Sequence, residues 1–224
     1  MKKLLLAAAM LGVLLPRLVH AHPSAEHVID TLSESIRAQP HEQELFIRRG
    51  QAYSNEGQLD LALQDLRKAE GLGDPLRVAF DLGVVHYRMG QLEAARQSFD
   101  VLLERFPNHA PALEYRARIL RAAGDLEAAL ADFEAYFALQ KQPNPGDYVS
   151  AARMLAELEG RGVGSALRML DQGMDRLGII PQLQRYAIEL ERQRENIKGA
   201  IARLETLKPA LGDSPDWKVE LAIL

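Results

Sequence analysis

Apolar residues recur at helical three- and four-residue spacing in six stretches between residues 44 and 139. ELFIRRGQAY (44–53), RVAFDLGVVHY (77–87) and ALEYRARIL (112–120) form one set. LDLALQDLRKAE, LEAARQSFDVLLERF and LEAALADFEAYFAL, which begin at Leu59, Leu92 and Leu126, form the other. Between the members of each pair stands almost the same phrase: GQLDLAL (57–63), GQLEAAR (90–96) and GDLEAAL (124–130). Gly57 and Gly90 are 33 residues apart, and Gly90 and Gly124 are 34 apart. The pattern predicts helix–turn–helix hairpins at a period near 34. Each glycine suits the left-handed end of a first helix. Asp60, Glu93 and Glu127 then fall in the first turn of the second helix, where the helix dipole favours negative charge.

Other typed positions recur in register. The first helix carries a small residue at Gly50, Gly83 and Ala117, with Tyr53, His86 and Leu120 three positions later. The second carries Ala62, Ala95 and Ala129, with Leu66, Phe99 and Phe133 four later. Pro75, Pro107 and, slightly late, Pro143 close the units. Gly50 opposite Ala62, and Gly83 opposite Ala95, would let two antiparallel helices approach closely. On these residues the chain resembles the tetratricopeptide repeat (TPR) family. The resemblance implies an all-α, right-handed α-solenoid, with clear repeats at 43–75, 76–109 and 110–143.

The flanks are more degenerate. HVIDTLSESIRAQP (27–40) reads as the second half of a repeat, a lone capping helix over the exposed end of a solenoid. Residues 22–42 are thus leader and cap. NPGD (144–147) reads as a loop, followed by two degenerate pairs at 147–178 and 182–208. The register of the last pair is one residue too long. SPDWKVELAIL (214–224) completes the region 144–224 as a C-terminal capping helix with Trp217, Leu221 and Leu224 on one face.

The N-terminus changes the compartment. Lys2 and Lys3 precede the twelve-residue apolar run LLLAAAMLGVLL (4–15), too short to span a bilayer. Pro16 and Val19-His20-Ala21 follow, so residues 1–21 read as a secretory signal peptide. The expected mature chain is exported, periplasmic, and free of membrane spans. Cleavage takes the formal net charge from −4 to −7, which disfavours nucleic acid as a partner. With no cysteine, disulfides, thiolate metal sites and cysteine nucleophiles are excluded.

Catalytic motifs are absent: there is no GxSxG, GxxxxGK[ST] or HExxH. HEQEL (41–45) has Leu45 where a second histidine belongs, and GRGVG (160–164) follows no strand and reads as a turn. His86 reads as a core histidine and His109 as a solvated loop residue. His22, at the expected new N-terminus, with His27 and His41, offers an alternative reading as a copper site. No other metal and no cofactor is expected.

The TPR resemblance implies binding of a peptide or protein segment on a concave face lined by first helices. Its inward positions fall on Ile47, Gln51 and Ser54; on Phe80, Asp81, Val84, Tyr87 and Arg88; and on Glu114, Tyr115, Arg118 and Arg121. Rings supply contact area there, and guanidinium groups pair with carboxylates. The Lys and Asn of chaperone-clamping TPR domains are replaced by Ile47, Gln51, Asp81, Pro111 and Tyr115, so that clamp is missing. The expectation is a non-enzymatic scaffold whose partner is another envelope protein or an extended segment of one. Self-assembly through residues 144–224 is a further alternative, with the oligomeric state left open.

Overall fold

A computed structural model describes residues 24–211, all in helices and short connections. A single helix, α1 (Ala25–Ala38), precedes five hairpins. These are α2 (Gln43–Asn55) with α3 (Leu59–Glu70), α4 (Leu76–Arg88) with α5 (Leu92–Arg105), and α6 (Ala110–Ala123) with α7 (Leu126–Leu139). Then come α8 (Pro145–Glu157) with α9 (Gly162–Leu177), and α10 (Pro181–Gln193) with α11 (Ile197–Leu211). The residues read as a signal peptide, His22 and the expected capping segment around Trp217 lie outside the described residues.

The repeated phrase is an elbow. Gly57, Gly90 and Gly124 have φ of 77°, 73° and 83°, a region closed to most side chains. At the first elbow Gly57 N–H donates to the Ser54 carbonyl (3.0 Å) and Gln58 N–H to that of Tyr53 (2.9 Å). The other two elbows repeat this Schellman pattern through Tyr87 and His86, and through Arg121 and Leu120. The fifth hairpin keeps the hydrogen bonds with the wrong residue: Glu195 takes φ 60°, and Asn196 N–H donates to the Glu191 carbonyl at 2.9 Å. Two local expectations are corrected. NPGD is a helix start, because the Asn144 side chain accepts from Gly146 N–H (2.8 Å) and Pro145 is the first helical residue. His109 is the N-cap of α6; its Nδ1 accepts from Ala112 N–H at 3.2 Å and its ring lies 5.0 Å from that of Phe80.

Packing within each hairpin follows the typed positions, with one shift. Ala62, Ala95, Ala129, Ala166 and Ala200 are fully buried, as are Leu66, Phe99, Phe133 and Leu170. The expected glycine–alanine apposition is present at Gly50, where an added Cβ would lie 3.3 Å from the Ala62 carbonyl oxygen, but in both hairpins the tightest contact is with the large residue one turn further on. A Cβ built on Gly83 would stand 2.5 Å from Phe99 Cε1, and one on Gly50 would stand 2.9 Å from Leu66 Cγ. The glycine therefore makes a hole for a knob from the second helix.

The core is repetitive but not wholly apolar. Arg49 of α2 forms two bonds to Asp65 of α3 (2.6 and 2.8 Å) and one to Ser33 of α1 (3.0 Å). Arg116 of α6 does the same with Asp132 of α7 (2.7 and 2.8 Å) and Asp100 of α5 (2.8 Å). Each bidentate pair ties a hairpin to itself, and the third bond ties it to the preceding repeat. The Asp132 hydrogen bond, against the cost of burial, holds the Arg116 guanidinium well above its usual basicity. In the second repeat Leu82, 2% exposed, takes the arginine's place. The fourth–fifth junction uses another geometry, with Arg203 bonding both Asp171 (2.7 Å) and Glu191 (3.3 Å).

Candidate binding groove on the first helices

The backbones of α2 and α4, α4 and α6, and α8 and α10 come within contact distance, whereas no two second helices do. The first helices therefore line the inner side of the curve. There α4 runs between α2 and α6, and a cavity of about 440 Å³ opens along it. Its floor is Leu66, Val84 and Val85, its wall toward α6 is Phe80 and Tyr115, and its rim is Gln51, Ser54, Asn55, Asp81 and Arg88. The volume falls in the range of ligand clefts, roughly 300–1,000 Å³.

Seven of the residues expected at the inner face meet here: Gln51, Ser54, Phe80, Asp81, Val84, Arg88 and Tyr115. Tyr87 stands beside them with its ring edge-on to Tyr115, centroids 5.1 Å apart. Gln51 Nε2 donates to Asp81 Oδ2 at 2.9 Å. Arg88 Nη1 donates to Ser54 Oγ at 2.9 Å and to the Ser54 carbonyl. Phe80 meets Tyr115 edge-on at 6.1 Å, and Tyr115 stacks on the buried Phe99 at 5.4 Å. The rim is thus made of cross-links between neighbouring repeats. Burial raises the Asp81 carboxyl above its ordinary pKa against the Gln51 hydrogen bond, and the nearby Glu44 charge adds to the rise.

Other expected residues are placed elsewhere. Ile47 is 5% exposed and packs in the core cluster formed by α2, α3 and α4, with Phe46, Leu66 and Val78; it is removed from the groove. Glu114 and Arg118 lie one repeat further on, where Arg118 pairs with Glu114 (2.6 Å) and with Asp147 of α8 (2.9 Å). Arg121 is exposed near them. Burial lifts both the Glu114 and Asp147 carboxyls despite the arginine, and Asp147 Oδ2 is buried with no hydrogen-bond partner. Sequence reasoning missed Asn55, Leu66 and Val85. Asn55 lies one turn after Gln51, so the same spacing reaches it; Leu66 and Val85 read only as core.

The histidines separate. His86 is buried, with Nδ1 2.6 Å from Gln91 Oε1 and Nε2 3.2 Å from Arg67 Nη2. A neutral ring protonated on Nδ1 satisfies both contacts. His27 and His41 are exposed, on the first turn of α1 and in the α1–α2 connection. Among the described residues no group of three His, Asp or Glu is arranged to hold a metal, and the copper reading rests on His22, outside them. No described helix is long and apolar enough to cross a membrane.

These hairpins, elbows and glycine holes define an α-solenoid of tetratricopeptide repeats. One tetratricopeptide-repeat model matches residues 80–144 and another matches 43–72, so these stretches are tetratricopeptide repeats. Solved structures share the fold. The Pseudomonas aeruginosa pilF protein is 18% identical, with 89% of this chain and 90% of that one covered at a TM-score of 0.66. PilW, described as a widely conserved type IV pilus biogenesis factor, is 17% identical, with 88% and 90% covered at 0.65. MamA is 16% identical, with 68% and 88% covered at 0.61. No curated protein sequence matches. Tetratricopeptide repeats point to protein partners, and at these identities the structural likeness is one of fold.

Proposed function

We propose that this protein is a non-catalytic adaptor that holds an extended segment of a partner protein along the inner groove of its first two repeats. The observation that carries this reading is the open cleft along α4. It has an apolar floor, and polar groups at its rim belong to two adjacent repeats. A segment lying there would contact both repeats at once, and its side chains would cover Phe80, Val84 and Tyr115. The signal-like residues 1–21 support an exported, envelope-located adaptor, and its partner is then another envelope protein. The pilus biogenesis factor of the same fold agrees with that setting, but the partner is not carried over from it.

The test is affinity capture from envelope extract with the mature chain and with a Val84→Arg variant, which fills the cleft from a half-buried position against the core, its fold checked by circular dichroism. The reading requires partners that are captured by the first and lost with the second. Equal capture by both would place binding elsewhere. Fractionation of cells expressing the full chain checks the location: a cytoplasmic, uncleaved product removes the envelope part of the proposal. Replacement of Arg118 is not a clean groove test, because that side chain pairs the buried Asp147.

A further inference from the structure

The rim of the groove carries two charges that no described residue neutralises. Asp81 accepts a hydrogen bond from the neutral Gln51, and no lysine or arginine pairs with it among the described residues. Arg88 donates to the hydroxyl and carbonyl of Ser54, again neutral, and no carboxylate among the described residues pairs with it. Neighbouring inner-face charges do pair: Arg77 with Glu44 at 2.5 Å, and Arg118 with Glu114 and Asp147. The two uncompensated groups have opposite signs, and both line the same cleft.

Their spacing is set by the helix. Asp81 and Arg88 are seven residues apart on α4, which places them on one face, about 10 Å apart along the axis. Between them on that face is Val84, with Tyr115 opposite. A polyproline II chain, the extended form with three residues per turn, advances about 3.1 Å per residue, so its residues three apart match this distance and share one face. Resting on the groove reading above, we infer that the occupant is an extended segment with a lysine or arginine and an aspartate or glutamate three residues apart, flanking an apolar residue. The cation pairs with Asp81, the carboxylate pairs with Arg88, and the apolar side chain between them, rotated about a third of a turn, leans against the Phe80–Tyr115 wall. Like-charged segments are rejected, because one end meets a charge of its own sign. The zwitterionic pattern also distinguishes this groove from one that recognises a purely acidic tail.

The probe is the blocked peptide Ala-Lys-Leu-Ala-Glu-Ala, titrated against the isotopically labelled mature protein and followed by amide chemical shifts. Shifts are expected along α2 and α4, and they should vanish in Val84→Arg. Replacing the peptide lysine by norleucine, or its glutamate by glutamine, should weaken binding roughly fivefold in each case. Asp81→Asn should remove the lysine effect but not the glutamate effect, and Arg88→Gln, which removes the positive charge, the reverse. Peptides with two lysines or two glutamates should bind more weakly than the parent. Additive double-mutant cycles with binding still lost in Val84→Arg would overturn the charge pairing and leave the groove reading standing. A peptide whose binding survives Val84→Arg overturns the inference too, and protein capture then decides the groove reading separately.

Discussion

Gly83→Ala is the substitution for which local and tertiary effects oppose most clearly. Alanine is the better helix former, by about 1 kcal/mol. The added methyl would stand 2.5, 2.7 and 2.9 Å from three carbons of the Phe99 ring, whereas carbon–carbon contact is comfortable at about 3.5–4.0 Å. The ring must therefore move by about 1 Å to reach that spacing. It has no free side to move into, being fully buried, stacked on Tyr115 and tilted against Phe80 at 6.0 Å. Overpacking of this kind costs about 1–3 kcal/mol, so the net effect is a destabilisation of about 1 kcal/mol. Because Phe80 and Tyr115 wall the groove, the same displacement should loosen the cleft.

The assay is urea unfolding by circular dichroism, joined to hydrogen exchange of α4 and α5, since solenoid repeats need not unfold together. In a Phe99→Leu background, with a smaller side chain at the contact, Gly83→Ala should become neutral or stabilising. If Gly83→Ala stabilises the otherwise unchanged protein, helix propensity outweighs the contact and the account of the glycine hole is wrong. Gly90→Ala is the control: nothing lies within 4 Å of its added carbon, its cost arises from φ 73° alone, and amide shifts in the groove should stay in place.

Glu195→Gly should stabilise the last hairpin by about 0.5–1 kcal/mol, by relieving a left-handed residue, with slower hydrogen exchange in α11 as the readout. Arg118→Ala should cost about 2 kcal/mol, because it leaves the buried Asp147 charge unpaired, while Asp147→Asn should be nearly neutral in the same denaturation experiment. Burial would raise the Glu191 carboxyl, but hydrogen bonds from Arg194, Asn196 and Arg203 outweigh it and hold its pKa below the usual value. The stability this confers is present above the unfolded carboxylate pKa, about 4.3, and is lost as pH falls through the lower folded value. Protection of α10 and α11 should thus fade in acid, and Glu191→Gln should flatten that pH profile.

The repeat register was legible because each typed residue acts within its own hairpin. A glycine that ends a helix, an alanine at a crossing and a negative first turn are local requirements, and the chain restates them every 33 or 34 residues. The inner-face positions were legible for the same reason, since helical spacing finds a face. Ile47 was misplaced because the pattern gives the angle around the helix but not how far the neighbouring helices cover it. The ring contact of His109 was missed because it depends on where Phe80 of the preceding hairpin arrives, whereas its cap onto Ala112 is local.

By itself, then, the sequence determined the hairpins, their elbows and their order, through constraints that reach no further than a few helical turns. The tertiary structure alone decided which charges cancel. Arg49, Arg116 and Arg118 are alike in sequence to Arg88, yet they face carboxylates from adjacent helices, while Arg88 faces a serine and Asp81 a glutamine. Pairing between repeats depends on the offset and tilt of stacked hairpins, which no local pattern encodes. That offset is what leaves two opposite charges uncompensated across an apolar cleft.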